Sequence, residues 1–187
     1  MNTYWRWLRW GAVLLAALGL LHWWRHFRLE SSQDRPILAA SRRYDVDAAL
    51  VKAVVWRESR FDPLATGRKG EIGLMQIMEA TATEWAAAEK RPLFYHRQLF
   101  DPWRNTEAGA WYLKKLLRRY QQTDNPVPYA LADYNAGRGN VLRWAKASAA
   151  TNSLVFVEQI TFPGTHEYVK SVMKRHEQYR PNFPPKK

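Results

Sequence analysis

Residues 44–59 read Tyr-Asp-Val-Asp-Ala-Ala-Leu-Val-Lys-Ala-Val-Val-Trp-Arg-Glu-Ser. Asp47 is placed to cap a helix starting at Ala48, because its short side chain can accept a free backbone N–H of the first turn. Along that helix Leu50, Val54 and Glu58 fall at i, i+4 and i+8, and Val51 and Val55 stand seven and three residues before Glu58. Glu58 thus continues the apolar stripe that faces the core. A carboxylate is costly to bury there. Burial disfavours its charged form and raises its pKa, which is the property of a general acid at neutral pH. A glutamate at a helix end also suits a turn toward solvent, or a pair with Arg57 or Arg60, and periodicity alone leaves these readings open.

Outward from this helix the pattern stays mainly α. A short helix is expected from Pro36 through Tyr44, and a loop from Phe61 to Ile72, holding Pro63, Gly67 and Gly70, with a tiny β-element. A third helical stretch runs from Leu74 to about Lys90, and residues 91–104 read as irregular. Asn105 or Thr106 opens a long helix to about Gln122. Pro126 and Pro128 start a helix through Asn135, Gly137 and Gly139 break it, and Val141–Ala149 resumes. After a loop with Pro163 and Gly164, a last helix covers Thr165–Tyr179. Residues 181–187, with three prolines and two lysines, read as a disordered tail. No internal repeat is visible.

Apolar residues make up 47% of the 187, enough for a packed core, and aromatics 14%. Residues 1–29 read as a separate N-terminal signal anchor, followed by a short linker over 30–35. The apolar run Gly11–Leu21, extended by Trp10 and by His22-Trp23-Trp24, is flanked by Arg6 and Arg9 before it and Arg25 and Arg28 after it. No small-x-small cleavage site follows it, so an uncleaved single-pass helix in the inner membrane is favoured over a cleaved signal with a soluble periplasmic domain. Four of the 29 basic residues and none of the 17 acids fall in 1–29, so an excess of eight positive charges rests on the remainder. Such a surface suits nucleic acid, anionic lipid or an acidic wall polymer. The basic residues form no dense run and the tryptophans no evident stacking platform, which speaks against nucleic acid. Without cysteine there is no disulfide, thiolate metal site or thiol nucleophile. The five histidines are scattered, and no phosphate-binding glycine loop occurs, so neither metal nor cofactor is expected.

Three further stretches carry chemistry. Gly73-Leu74-Met75-Gln76-Ile77-Met78 places one amide in an apolar run. Gln76 can donate and accept, as sugar hydroxyls and acetamides require, and Met75 is adaptable enough to pack on a sugar face. In Ala132-Asp133-Tyr134-Asn135-Ala136-Gly137, Leu131 lies three and four residues before Tyr134 and Asn135, bringing both near one inward face. Thr165-His166-Glu167-Tyr168-Val169 opens the last helix with a phenol available to a ligand or a carboxylate.

In this order and spacing, Glu58-Ser59, Gly73–Met78, Tyr134–Gly137 and Tyr168-Val169 resemble the catalytic domain of the family 1 soluble lytic transglycosylases, relatives of goose-type lysozyme. Tyr44–Val51 resembles the family's lead-in to its catalytic helix. The resemblance covers roughly residues 33–180 and places the catalytic domain at 36–180. It implies a lysozyme-like, mainly α domain with a glycan groove. The implied reaction cleaves the β-1,4 bond between N-acetylmuramic acid and N-acetylglucosamine in peptidoglycan, leaving 1,6-anhydromuramic ends. Glu58 would serve as acid and then as base. Ser59, Met75, Gln76, Tyr134, Asn135 and Tyr168 would shape the groove and hold the sugar. Three places depart from the family pattern: Glu79 stands for the usual Pro, Asp133 for Ala, and Thr161, Gly164 and His166 for Pro, Glu and Arg. An acid at Glu79 or Asp133 leaves open a two-carboxylate hydrolase, although both are expected off the cleft side of their helices. A non-catalytic glycan-binding or assembly factor on the same scaffold is the remaining alternative.

Overall fold

The computed structural model describes residues 10, 13, 18, 19 and 29–183. The expected anchor lies almost wholly outside these. Among the described residues no helix is long and apolar enough to cross a membrane.

Helix α1 (Asp34–Tyr44) starts two residues earlier than expected and takes in part of the expected linker. Asp34 in its first turn and Arg42 and Arg43 in its last match the helix dipole. Asp45 ends it in the left-handed conformation (φ 55°), its N–H bonded back to Ser41 O. Helix α2 (Ala48–Ser59) is capped as the sequence indicates, Asp47 Oδ1 accepting from Ala49 N at 2.8 Å. It is not merely striped. Every residue from Ala48 to Val55 is buried, Lys52 included, whose ammonium pairs with Asp34 and lies 4.4 Å from the centre of the Phe183 ring. A helix apolar on nearly all sides belongs at the centre of a fold, and here α1, a long later helix and the last helix surround it. Phe183, expected in the tail, is buried against the domain, while residues 181 and 182 before it are exposed.

The loop after α2 carries the expected β-element in its smallest form, two antiparallel bridges joining Thr66 to Ile72 and Ile72 to Ile77. The next helix, α3 (Glu79–Ala88), begins five residues later than expected. Gly73–Ile77 is a turn, with Gln76 in the left-handed region (φ 47°) and Ile77 committed to the bridge. After a 3-10 turn at His96–Phe100 comes the long helix α4 (Pro102–Arg119). It starts three residues before Asn105, because Asp101 caps Arg104 N and Pro102 occupies the first turn. Helix α5 (Pro126–Ala136) is capped by Asn125 and stopped at Gly137 (φ 82°), and α6 covers Arg138–Trp144. In place of a helix continuing to Ala149 there is a 3-10 turn at Ala147–Ala150. A short helix not expected from the sequence follows, α7 (Ser153–Glu158), with Asn152 accepting from Leu154 N and Val155 N. Helix α8 (Pro163–Tyr179) closes the domain.

The main pairings are α1 on α4, α2 on α8, and α5 wedged between α4 and α8. They bring the C-terminal end of α2, the turn at Gly73–Ile77, the end of α5 and the start of α8 together.

Candidate active site

Glu58 stands one residue before the end of α2. Its Oε1 accepts a hydrogen bond from the Tyr168 hydroxyl at 2.6 Å, across 110 residues of sequence. Tyr168 is 2% exposed, so this phenol is a fixed donor. Burial pushes the Glu58 carboxyl up from the ordinary carboxylate range to about 7. The Tyr168 hydrogen bond and the charge of Arg57 oppose that rise, and the charge of Glu71 adds to it. The Tyr168 and Tyr134 phenols are themselves held well above their ordinary pKa, by burial first and by Glu58 second, so both remain donors.

Tyr134, next to the end of α5, donates to Met75 O at 2.7 Å, and its ring lies 5.4 Å from that of Tyr112. It therefore ties α5 to the Gly73–Ile77 turn. Asn135 is exposed, and its Oδ1 accepts from Thr165 Oγ1 at 2.8 Å. That bond joins the end of α5 to the first turn of α8, three residues before Tyr168. Gln76 Nε2 donates to Ala65 O and Gly73 O, at 3.1 and 2.9 Å, so half of its amide holds the loop together and the carbonyl end is left for other partners.

Two candidates do not face the carboxylate as expected. Ser59 is buried, and its hydroxyl bonds back to Val55 O at 3.1 Å, a contact within its own helix. Met75 is 0% exposed. Its side chain packs where Gly109 leaves room on α4: a Cβ at Gly109 would fall 2.1 Å from the sulfur. Met75 contributes through its backbone, not by covering a sugar face. Met78 is the methionine of this stretch that is exposed.

Sequence reasoning missed Asn105. It is fully buried at the start of α4, and its Oδ1 accepts from Met75 N at 2.8 Å. Its Nδ2 donates to Ile72 O and Leu99 O, at 2.9 and 2.8 Å. One amide thus fixes both ends of the Gly73 turn. Gly73 (φ 75°) must be glycine, since a Cβ would meet Asn105 Nδ2 at 2.1 Å and Leu99 O at 2.6 Å. Glu71 was also missed. Its Oε2 accepts from Lys69 N at 2.8 Å, and the carboxylate folds over Gly67, where a Cβ would lie 2.2 Å from Oε2 and 3.0 Å from Gln76 Oε1.

The two acids that depart from the family pattern sit elsewhere. Asp133 is 2% exposed, ion-paired with Arg119 and hydrogen-bonded by the Tyr120 hydroxyl at 2.7 Å, on the α4 side of α5. Glu79 is exposed in the first turn of α3, where a negative charge suits the helix dipole. Near the last motif, Thr161 Oγ1 accepts from Trp144 Nε1 at 2.9 Å. Among the described residues no group of His, Cys, Asp and Glu is arranged to hold a metal ion.

The arrangement is a carboxyl of raised pKa held by a phenol, beside amide and carbonyl groups, and such a group can both give and take a proton near neutral pH. Against known proteins, residues 35–156 match the family model described as "Transglycosylase SLT domain". A soluble lytic murein transglycosylase of Salmonella typhimurium is 36% identical over 142 residues, covering 75% of this chain and 22% of that protein. A membrane-bound lytic murein transglycosylase F of Desulfosudis oleivorans is 36% identical over 111 residues, 57% of this chain and 22% of the other. Among solved structures, a complex of the 70-kDa soluble lytic transglycosylase with bulgecin A superposes with a TM-score of 0.75 at 29% identity, covering 85% of this chain and 26% of that one. An inactive mutant of the lytic transglycosylase Slt from Pseudomonas aeruginosa gives 0.74 at 27% identity, over 84% of this chain and 26% of that one. The chain spans about a fifth of the length of the first of these relatives.

Proposed function

Because this chain belongs to the transglycosylase SLT domain family, we propose that it is a peptidoglycan lytic transglycosylase in which Glu58 is the only catalytic carboxylate. The observation that carries this reading is the Tyr168–Glu58 hydrogen bond on a carboxyl raised to about 7. As the acid, neutral Glu58 donates its proton to the glycosidic oxygen between N-acetylmuramic acid and N-acetylglucosamine, and the C1–O bond breaks. Glu58 is then a carboxylate, stabilised by the Tyr168 hydroxyl. It removes the proton from the muramic C6 hydroxyl as O6 bonds to C1. The proton returns to Glu58, no water enters, and the product ends in a 1,6-anhydro ring. Gln76 Oε1 and the exposed Asn135 amide are the groups offered to sugar hydroxyls and acetamides.

A two-carboxylate hydrolase needs a second acid at the reacting sugar. Asp133 is committed to Arg119 and Tyr120, and Glu79 opens α3 at the surface. Among the described residues Glu71 is the carboxylate whose charge raises the Glu58 pKa, and its Oε2 is already engaged by Lys69 N. Mass spectrometry of muropeptides released from purified sacculi separates the two reactions. The lyase gives species lighter by one water than hydrolysis products; spectra dominated by reducing ends would make this a hydrolase.

The N-terminal run is assigned as an inner-membrane anchor with the domain on the periplasmic side. Full-length protein should then stay with membranes through a high-salt wash that strips electrostatic association. Release by salt, or a mature N-terminus after Arg25, would contradict the anchor.

A further inference from the structure

Helices α1 and α4 lie side by side and point the same way. Pro36 O, in the first turn of α1, accepts from Thr106 Oγ1 at 3.2 Å, and Asp45 at the other end of α1 accepts from Lys114 Nζ at 2.8 Å. Both N-termini therefore come to one end of the domain, and that end carries an apolar face. Leu93 is 80% exposed and lines a cavity of about 310 Å³ with Arg91, Pro92, Phe94, Gln98 and Arg104. Tyr95 and Trp103, next in sequence to Phe94 and Arg104, are exposed as well. Arg97 and Arg104 are exposed here and, among the described residues, neither has a carboxylate within ion-pair distance; Arg91 has Glu107 at 2.9 Å. Arg35 in the first turn of α1 is a further exposed cation at this end. Of the acids, Asp101 accepts from Arg104 N at 2.9 Å, and Glu107 is shared between Arg91 and Arg43.

The same end receives the N-terminal run. Glu30 pairs with Arg175 at 3.5 Å and Asp34 pairs with Lys52, so the chain is fixed to the domain from residue 30 onward. Five residues, 25–29, separate Glu30 from Trp24, where the apolar run ends. Fully extended, they reach at most about 18 Å. With that run in a bilayer, this end of the domain stays close to the lipid surface. The face is also joined to the candidate active site. His96 Nε2 lies 2.8 Å from Ile77 O, and Asn105 holds Met75 N and Leu99 O, so the segment bearing Tyr95 and Trp103 is bonded to the Gly73–Ile77 turn.

We propose that this face rests on the anionic phospholipid surface of the membrane that holds the N-terminal run, so that the domain is docked on the bilayer and not merely tethered to it. The inference rests on the anchor assigned above. Tryptophan and tyrosine rings belong at headgroup level, where one end of the ring is apolar and the other wet. Arginine stems lie along apolar surface while their guanidinium forks reach phosphate. An anionic leaflet attracts such cations, and the short tether raises the effective concentration of the two surfaces, so that a weak contact suffices. Sugar hydroxyls would call for free amides and carboxylates instead. Gln98, the amide that lines the cavity, already accepts from Tyr95 N at 3.1 Å through its Oε1. Docked in this way, the groove beside Glu58 is held near the bilayer and meets first the glycan that lies close to it.

The test uses the full-length chain in vesicles of phosphatidylcholine with or without phosphatidylglycerol. The chain has no cysteine, so Leu93→Cys and Trp103→Cys can each carry a single environment-sensitive dye, read by quenching from nitroxide-bearing lipids. Leu154→Cys is the reference. Leu154 is 77% exposed, and its helix α7 is held at the other end of α4, where Asp124 accepts from Ser153 N at 2.8 Å. Helix α4, 18 residues long, sets the two ends about 27 Å apart. In phosphatidylglycerol vesicles the dyes at 93 and 103 should be quenched and the dye at 154 should not. The double variant Arg97→Gln/Arg104→Gln should lower the ratio of docked to undocked domain by about thirtyfold, each cation at an anionic surface being worth about fivefold. Quenching at 93 and 103 no stronger than at 154, or an unchanged ratio in the folded double variant, would overturn the proposal while leaving the anchor in place. Flotation through a high-salt wash separates the two readings. If salt strips the protein from the vesicles but the dyes at 93 and 103 are quenched at low salt, the face assignment stands and the anchor fails. If the protein floats with neither vesicle at any salt, both fail. If soluble glycan strands shield the two dyes and vesicles do not, the face is a sugar contact and the proposal is wrong.

Discussion

Helix α2 and the loop that follows it meet at the same site but are held there by different means. The helix places Glu58 by local rules: an Asp47 cap, a run of buried apolar residues, and a periodicity that turns position 58 inward. The loop of residues 62–77 has almost no regular structure, only two bridges. It is fixed by a residue far along the chain, Asn105, together with Tyr134 and the amide of Gln76. The proposed catalytic acid is thus set by a self-sufficient element, and its surroundings by long-range hydrogen bonds. Substitutions in the first should change chemistry with little loss of fold, and substitutions in the second should do the reverse.

The sharpest form of this contrast is Glu58→Gln. The amide keeps the shape and can still accept from Tyr168, but it cannot give up the proton. Cleavage should fall by about 10²–10⁴ or more, because one group serves both steps. The domain should become more stable. A carboxyl whose pKa is raised on folding keeps its proton in the native state while the unfolded chain loses it, so stability declines as pH rises from about 4.5 to about 7. Replacing it should recover as much as about 3 kcal/mol at neutral pH and nothing at pH 4. Urea unfolding of the two proteins at both pH values checks this. A folded, active Glu58→Gln protein would mean that Glu58 is not the acid.

In the loop, Asn105→Ala removes the side-chain partner of Met75 N–H and of the Leu99 carbonyl, each costing about 1–3 kcal/mol when buried, while Ile72 O keeps its bond from Ile77 N. The Gly73→Ala variant brings a Cβ into backbone and Asn105 and strains a positive φ. Both should lower the thermal midpoint far more than any α2 surface change, with activity per folded molecule better preserved than in Glu58→Gln. A stable Asn105→Ala protein with an unchanged melting curve would show that the loop does not depend on it.

Tyr168→Phe lies between the two regimes. Losing a hydrogen bond to a charged group is worth about 1.5–3 kcal/mol, roughly ten- to a hundredfold in rate. The Glu58 carboxyl should move further up, since this bond holds it down. Smallest of all are the neighbouring charges. Glu71→Gln removes a like charge and should move the alkaline limb of the pH–activity profile down, whereas Arg57→Gln should move it up. Identical profiles in both variants would mean that neither charge reaches Glu58.

The same contrast explains what could be read from the sequence. The capped helix, Glu58 and its Tyr168 partner were legible, because periodicity and motif order carry them. The minimal β-element and the off-cleft positions of Glu79 and Asp133 were also anticipated. The start of α3 was not. Leu74–Met78 has the composition of a helix, and tertiary contacts overrode it by holding Gln76 at a positive φ and Ile77 in a bridge. Asn105 looked like a helix opener because its partners lie up to 33 residues away. Met75 and Ser59 belong to the motifs, and a motif does not say which way a side chain points. Helix α7, six residues long, is too short to leave a periodic signal.

For Glu58 to serve as the proposed acid, its carboxyl must hold a proton well above the ordinary carboxylate range. Carboxyl titration reads this directly, by isotope-edited infrared or carbon NMR of the full-length wild type, with Glu58→Gln as the difference reference. A single carboxyl, absent from the variant, should titrate with a midpoint near 7. A Glu58 midpoint in the ordinary range near 4.5 would contradict it.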